Sequence, residues 1–185
     1  LNPQHDAGQV PASFGGLKGN NNTMTSKKFK PSGKYPVEIF ISVLRDATQC
    51  GLCDTPDKVV EYWRKNVETS PEFRQDKEQL HAVFLNTRRS VIAHELVSLG
   101  TLDATVCNPR DVFRAAIVTN AHAVIIVHNH PSGNVTPSDA DIRLTRQLAS
   151  AGRLIGIELI DSIIVSSPAV DKGYCSLREL GYMHS

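Results

Sequence analysis

Two histidines, hydroxyls and two aspartates crowd into one stretch of this chain, Val127-His128-Asn129-His130-Pro131-Ser132-Gly133-Asn134-Val135-Thr136-Pro137-Ser138-Asp139-Ala140-Asp141. These residue types bind metal ions and move protons. The apolar run Ala123-Val124-Ile125-Ile126-Val127 leads into it, and Ile142-Arg143-Leu144-Thr145-Arg146-Gln147-Leu148, apolar at helical spacing, leads out. The order is buried strand, polar turn, helix. His128 and His130 stand two apart at a strand end, so both rings point to the same face. Asp141 falls in the first turn of the helix, where a loop that folds back brings its carboxylate to both imidazoles. Two histidines and one carboxylate are a three-ligand set for Zn²⁺, with water completing the open tetrahedron of a catalytic site. Zinc lowers the pKa of such a water to about 7, which makes hydroxide available at neutral pH.

A plainer account covers part of this pattern. Ser138 as a helix N-cap with Asp141 at N3 makes a capping box, and Pro131 and Gly133 turn the chain. That explains Ser-x-x-Asp and leaves the paired histidines unexplained.

The elements that must position these groups follow from the alternation of apolar and polar residues. Strands are expected near 79–86, 89–98, 104–107, 123–128 and 157–166, and helices near 109–120 and 138–151, the second ending at Gly152. The fold class is therefore α/β, a mixed, largely antiparallel sheet flanked by helices on both sides. Residues 1–34 are rich in Gly, Asn, Ser, Pro and Lys and are expected to be disordered. Met24 opens a natural-looking start, which leaves 1–23 as an upstream or artificial extension. Residues 35–75 read as a helical segment, in two pieces: one around Val37–Leu44, the other opening at Thr55-Pro56 with a Thr cap and Pro at N1. Residues 76–185 form the main domain.

With 41% hydrophobic residues the chain can fill a globular core, and its net charge of +1 provides no large basic field for nucleic acid. Arg88-Arg89 and Arg143, Arg146 and Arg153 leave room for a local basic patch, although such arginines usually form a solvated helix face. No apolar run is long enough to span a bilayer, no secretory signal is visible, and four cysteines suit a reduced cytoplasmic setting. Cys50-Gly51-Leu52-Cys53 has no second ligand pair to complete a structural zinc site and reads as incidental. The H-x-E and P-C-x-x-C halves of the zinc-deaminase signature are both absent, which excludes that reaction.

The spacing His-x-His, seven residues, Ser, two residues, Asp, as met by His128, His130, Ser138 and Asp141, is similar to the JAMM metal motif of JAB/MPN proteins. The wider string resembles the RadC branch of that superfamily. Asn108–Ile117 resembles its helix of the form PREVFRAAI, Leu99-Gly100-Thr101-Leu102 its GTL turn, and Ser176–Gly181 its C-terminal SFRERG. The likeness runs through roughly residues 76–185 in order. It implies a JAB/MPN, cytidine-deaminase-like sandwich and a Zn²⁺-dependent hydrolase of a peptide or isopeptide-like amide. It also implies an earlier glutamate as general base, and Glu78, ahead of Gln79-Leu80-His81-Ala82-Val83-Phe84-Leu85, stands at the matching position. Glu95 is the competing candidate. Ser138 takes the role of hydrogen-bond donor to the oxyanion. Where RadC proteins carry Asp-His after the motif helix, this chain has Asp161-Ser162. The helix-hairpin-helix DNA-binding segment of longer relatives is not recognisable. Two other functions compete with the hydrolase: a DNA-repair-associated factor or nuclease, and a non-catalytic MPN-type interaction module. The expected partner is a protein or peptide substrate.

Overall fold

The computed structural model describes residues 25–26, 42–43, 51–100, 107–166 and 173–183. In chain order the elements are β1 (Thr25–Ser26), β2 (Ser42–Val43), α1 (Pro56–Asn66), β3 (Gln79–Leu85) and β4 (Val91–Leu99). There follow α2 (Pro109–Val118), β5 (Ala123–Asn129), α3 (Asp139–Ile155), β6 (Glu158–Val165) and β7 (Tyr174–Ser176). The sheet runs β1-β2-β4-β3-β5-β6-β7. Five strands make its body, and two two-residue segments extend one edge. Every pairing is antiparallel except β5 with β6. That parallel pair needs a crossover, and α3 supplies it.

β3 and β5 are buried at every position, as central strands covered on both faces must be. Alternation sends Leu80, Ala82, Phe84, Val124 and Ile126 to one side, where Val112 and Phe113 of α2 and Leu148 of α3 pack on them. Val83, Leu85, Ile125 and Val127 go to the other, under Val59, Val60 and Trp63 of α1. The mixed sheet with helices on both faces is thus the class that the sequence predicts. Thr55 caps α1 with Pro56 at N1, also as predicted.

The structure corrects the expected end of the motif helix. α3 continues past Gly152 to Ile155, and Gly156, at φ 78°, provides the left-handed cap. Gly152 is glycine for another reason: a Cβ there would overlap the carbonyl oxygen of Ile157 and crowd the Phe113 ring at 3.1 Å. Its bare backbone lets α3 lie close to the start of β6.

Two further differences lie near the N-terminus. β2 falls inside the piece expected to be helical, and β1 inside the segment expected to be disordered. Ser42 and Val43 pair with His94 and Ala93 of β4. The outer edge of β4 offers a row of backbone donors and acceptors, and pairing there overrides local helical pattern. The other residues of 1–50, including Cys50, lie outside the described residues; Cys53 is buried in the core below α1. Of the strand expected near 104–107, residues 104–106 also lie outside, and Cys107 is not in a strand.

Asp161 has a structural task. Its buried carboxylate accepts from the Ser162 N–H (2.7 Å), the Ser176 hydroxyl (2.7 Å) and the Arg178 N–H (3.1 Å), tying β6 to β7 and the turn beyond. Burial raises its pKa above the ordinary carboxylate value, against those hydrogen bonds. No described helix is long and apolar enough to cross a membrane.

Candidate metal centre

The β5–α3–β6 unit sets up the site. β5 ends at Asn129, and the loop that follows turns over Gly133, whose φ of 78° suits glycine. α3 then starts at the carboxyl end of β5. His128, still in the strand, shares its face with Val124 and Ile126 and is 1% exposed. His130 stands just beyond the strand. Its Nδ1 lies 2.6 Å from the Asn134 carbonyl oxygen, which can only accept. Nδ1 therefore carries the proton, and in the neutral ring the lone pair is on Nε2, the nitrogen that faces the cluster.

Asp141 occupies N3 of α3, and the capping box is real. The Ser138 hydroxyl accepts from the Asp141 N–H (3.2 Å), while Asp141 Oδ2 accepts from both the Ser138 N–H (2.8 Å) and the Ser138 hydroxyl (2.7 Å). The box fixes the carboxylate rather than competing with the site. Oδ2 is held by Ser138, and Oδ1 lies 3.2 Å from His128 Nε2. His130 Nε2 is 3.6 Å from Asp141 Oδ2. Burial pushes the Asp141 carboxyl up, but hydrogen bonds to His128 and His130 outweigh it and hold the pKa far below the usual range. The partner effect runs the other way at His130, raised chiefly by its hydrogen bond to Asp141 against the cost of burial. The N-terminal end of α3 also favours a negative charge there.

Glu78 reaches the cluster from the adjacent strand. β3 pairs with β5 antiparallel, Leu80 opposite His128. Two residues further, that register sets residue 78 opposite residue 130. Glu78 Oε1 lies 4.0 Å from His128 Nε2 and 3.8 Å from His130 Nε2, and its side chain is 18% exposed. Glu95 is elsewhere. It pairs with Ala82 on β4, four residues along β3 from Glu78, or roughly 13 Å at strand rise. There it meets Arg114 of α2 at 3.3 Å.

Asn129, between the two histidines, is a positioning residue that the sequence reading passed over. Its Oδ1 accepts from the Gln79 N–H and its Nδ2 donates to the Lys77 carbonyl, both at 2.9 Å. The side-chain amide thus clamps the residues on either side of Glu78 to the end of β5. One signal was present: a carboxamide at the end of a strand that is apolar except for His128 has partners to find.

One ligand atom from each of Glu78, His128, His130 and Asp141 lies within 4.8 Å of the others, the single such cluster among the described residues. The donor set suits a divalent ion. Two imidazole nitrogens 3.1 Å apart face two carboxylates, and nitrogen–oxygen sets of this kind hold first-row divalent metals, zinc among them. All four residues named from the sequence, with Ser138 beside them, are brought together.

Comparison with known proteins gives a consistent result. Residues 53–182 match the family model of the RadC-like JAB domain, more than half of the 185-residue chain. A UPF0758 protein of Staphylococcus carnosus is 49% identical over 105 residues, 57% of this chain and 45% of that protein. One from Symbiobacterium thermophilum is 50% identical over 106 residues, 57% and 44% of the two chains. One from Finegoldia magna is 40% identical over 124 residues, 67% and 53%. The chain spans about half the length of the curated relatives it matches.

Proposed function

The chain belongs to the RadC-like JAB domain family, and on that premise we propose that it is a zinc-dependent hydrolase of a peptide or isopeptide-like amide bond. One observation carries the reading: the cluster contains two carboxylates with different settings. Asp141 lies 3.2 Å from His128 and 3.6 Å from His130 and is locked by the capping box, whereas Glu78 stands at 3.8–4.0 Å from the histidines, just ahead of β3. On this reading three groups hold an ion and a fourth handles a proton.

His128, His130 and Asp141 would hold Zn²⁺, which when bound supplies a Lewis acid that acidifies water to a pKa of about 7. Glu78 accepts the proton of the attacking water at a carboxylate oxygen and returns it to the nitrogen of the leaving amine. Asn129 keeps Glu78 facing the cluster through the backbone on either side of it. Ser138 donates to the oxyanion of the tetrahedral intermediate. Its single proton is donated to Asp141 Oδ2 at rest, so the hydroxyl turns from the carboxylate to the substrate as negative charge develops.

Protein purified without chelator should contain about one zinc per chain, and a His128→Ala/His130→Ala double variant should contain none. Incubated with a peptide library, the zinc-loaded protein should cleave amide bonds. Glu78→Gln should keep the zinc and lose cleavage by roughly 10²-fold or more; Glu95→Gln, paired with Arg114, should cleave normally. Full metal occupancy in the double variant, or undiminished cleavage by Glu78→Gln, would refute the assignment.

A further inference from the structure

Beside His130 is a hollow of about 250 Å³ whose walls include Glu68, Phe73, Asn129, Pro131 and Ser166. Sites that enclose a whole small molecule usually measure about 300–1,000 Å³. This one is the size for a single side chain of a larger substrate, and it opens beside a proposed metal ligand. Its chemistry is set by one charge. Among the described residues Glu68 is the only carboxylate in the walls, and no lysine or arginine lines them.

Glu68 follows the end of α1, and its position is fixed. Its N–H donates to the Trp63 carbonyl (3.1 Å), and Oε1 accepts from the Trp63 indole N–H at 3.0 Å. Trp63 is 1% exposed. No cation pairs with this half-buried carboxylate among the described residues, and Oε2 has no hydrogen-bond donor there. Phe73, edge-on to Trp63 at 5.9 Å between centroids, is an apolar and aromatic wall. Asn129 contributes shape only, because its amide is used by Lys77 and Gln79.

We infer that this hollow seats a lysine or arginine side chain of the substrate, with the aliphatic stem against Phe73 and Pro131 and the cationic tip on Glu68. The assignment rests on the hydrolase reading for its meaning, since a cation held there leads its own backbone past His130. A carboxylate and an aromatic face are the two groups that best reward a desolvated cation.

Binding can be tested without turnover. Trp63 is the only tryptophan in the chain and is bonded to Glu68, so its fluorescence reports on the hollow. The full chain is titrated with the N-acetyl, N-methylamide derivatives of lysine, norleucine and glutamate. The lysine compound should bind, with norleucine weaker by roughly tenfold and glutamate weaker still. Glu68→Gln keeps an acceptor for the indole and should make lysine and norleucine equal within about twofold. Equal binding of lysine and norleucine by the unaltered protein, a lysine preference that survives Glu68→Gln, or no saturable signal would overturn the inference. Peptide cleavage separates it from the reading beneath it. Cleavage without preference for a basic residue removes the hollow's role and leaves the hydrolase, whereas lysine-selective binding with no amide cleaved removes the hydrolase and leaves the hollow.

Discussion

Replacing Ser138 should damage stability and metal binding by separable amounts, because one hydroxyl serves both. In Ser138→Ala the Asp141 N–H loses its acceptor, and Asp141 Oδ2 loses its 2.7 Å donor but keeps the Ser138 N–H at 2.8 Å. Loss of an N-cap costs about 1 kcal/mol, within a range of about 0.5–2. The carboxylate is not left without a partner, so the larger penalty for an orphaned buried charge does not apply. A fall in melting temperature of roughly 2–4 °C is expected for metal-free protein of this size. The metal effect has a different origin. Without the hydroxyl, Asp141 is less firmly oriented, and losing an outer partner of a ligand typically weakens affinity by about 10–100-fold. Ser138→Gly divides the two. Glycine caps within a few tenths of a kcal/mol of serine but has no hydroxyl, so it should restore most of the melting temperature and none of the zinc affinity. Thermal melts of metal-free protein and zinc competition against a chromophoric chelator measure these quantities. If Ser138→Gly binds zinc as tightly as the unaltered protein, the hydroxyl does not hold the carboxylate. If Ser138→Ala melts unchanged, the capping box contributes nothing.

Asn129→Ala should retain zinc, because both histidines and Asp141 remain. It should lower cleavage by at least about tenfold as the backbone around Glu78 comes loose, and a variant that turns over normally would show that the clamp is dispensable. Gly152→Ala should lower stability by about 1–3 kcal/mol in urea unfolding. Alanine gains up to about 1 kcal/mol of helix preference, but its methyl group meets the Ile157 carbonyl and Phe113; a more stable variant would contradict that close approach.

Local pattern determined a good deal of this protein. The run from Ala123 to Val127 is apolar at every position because β5 is covered on both faces, and the alternation of β-strands with period two put His128 and His130 together. Ser138 and Asp141 three residues apart are enough to build a capping box, since its hydrogen bonds span one helical turn. The proposed ligand triad was legible because its members sit within one strand–loop–helix unit, where short-range geometry decides their meeting.

Tertiary structure decided the rest. Glu78 and Glu95 are both carboxylates beside apolar runs, and nothing local distinguishes them. The register of β3 against β5 does: it brings residue 78 to residue 130, while the pairing of β4 leaves Glu95 with Arg114. Gly152 looked like a helix terminator because the sequence carries glycine's conformational freedom but not the approach of Ile157. β2 pairs with an edge that exists only once β4 has formed. Asn129 reaches across fifty positions to backbone groups that carry no residue-specific signature. In each case the deciding partner is distant in sequence, and its contribution is a hydrogen bond or a contact that the chain acquires only when the sheet is assembled.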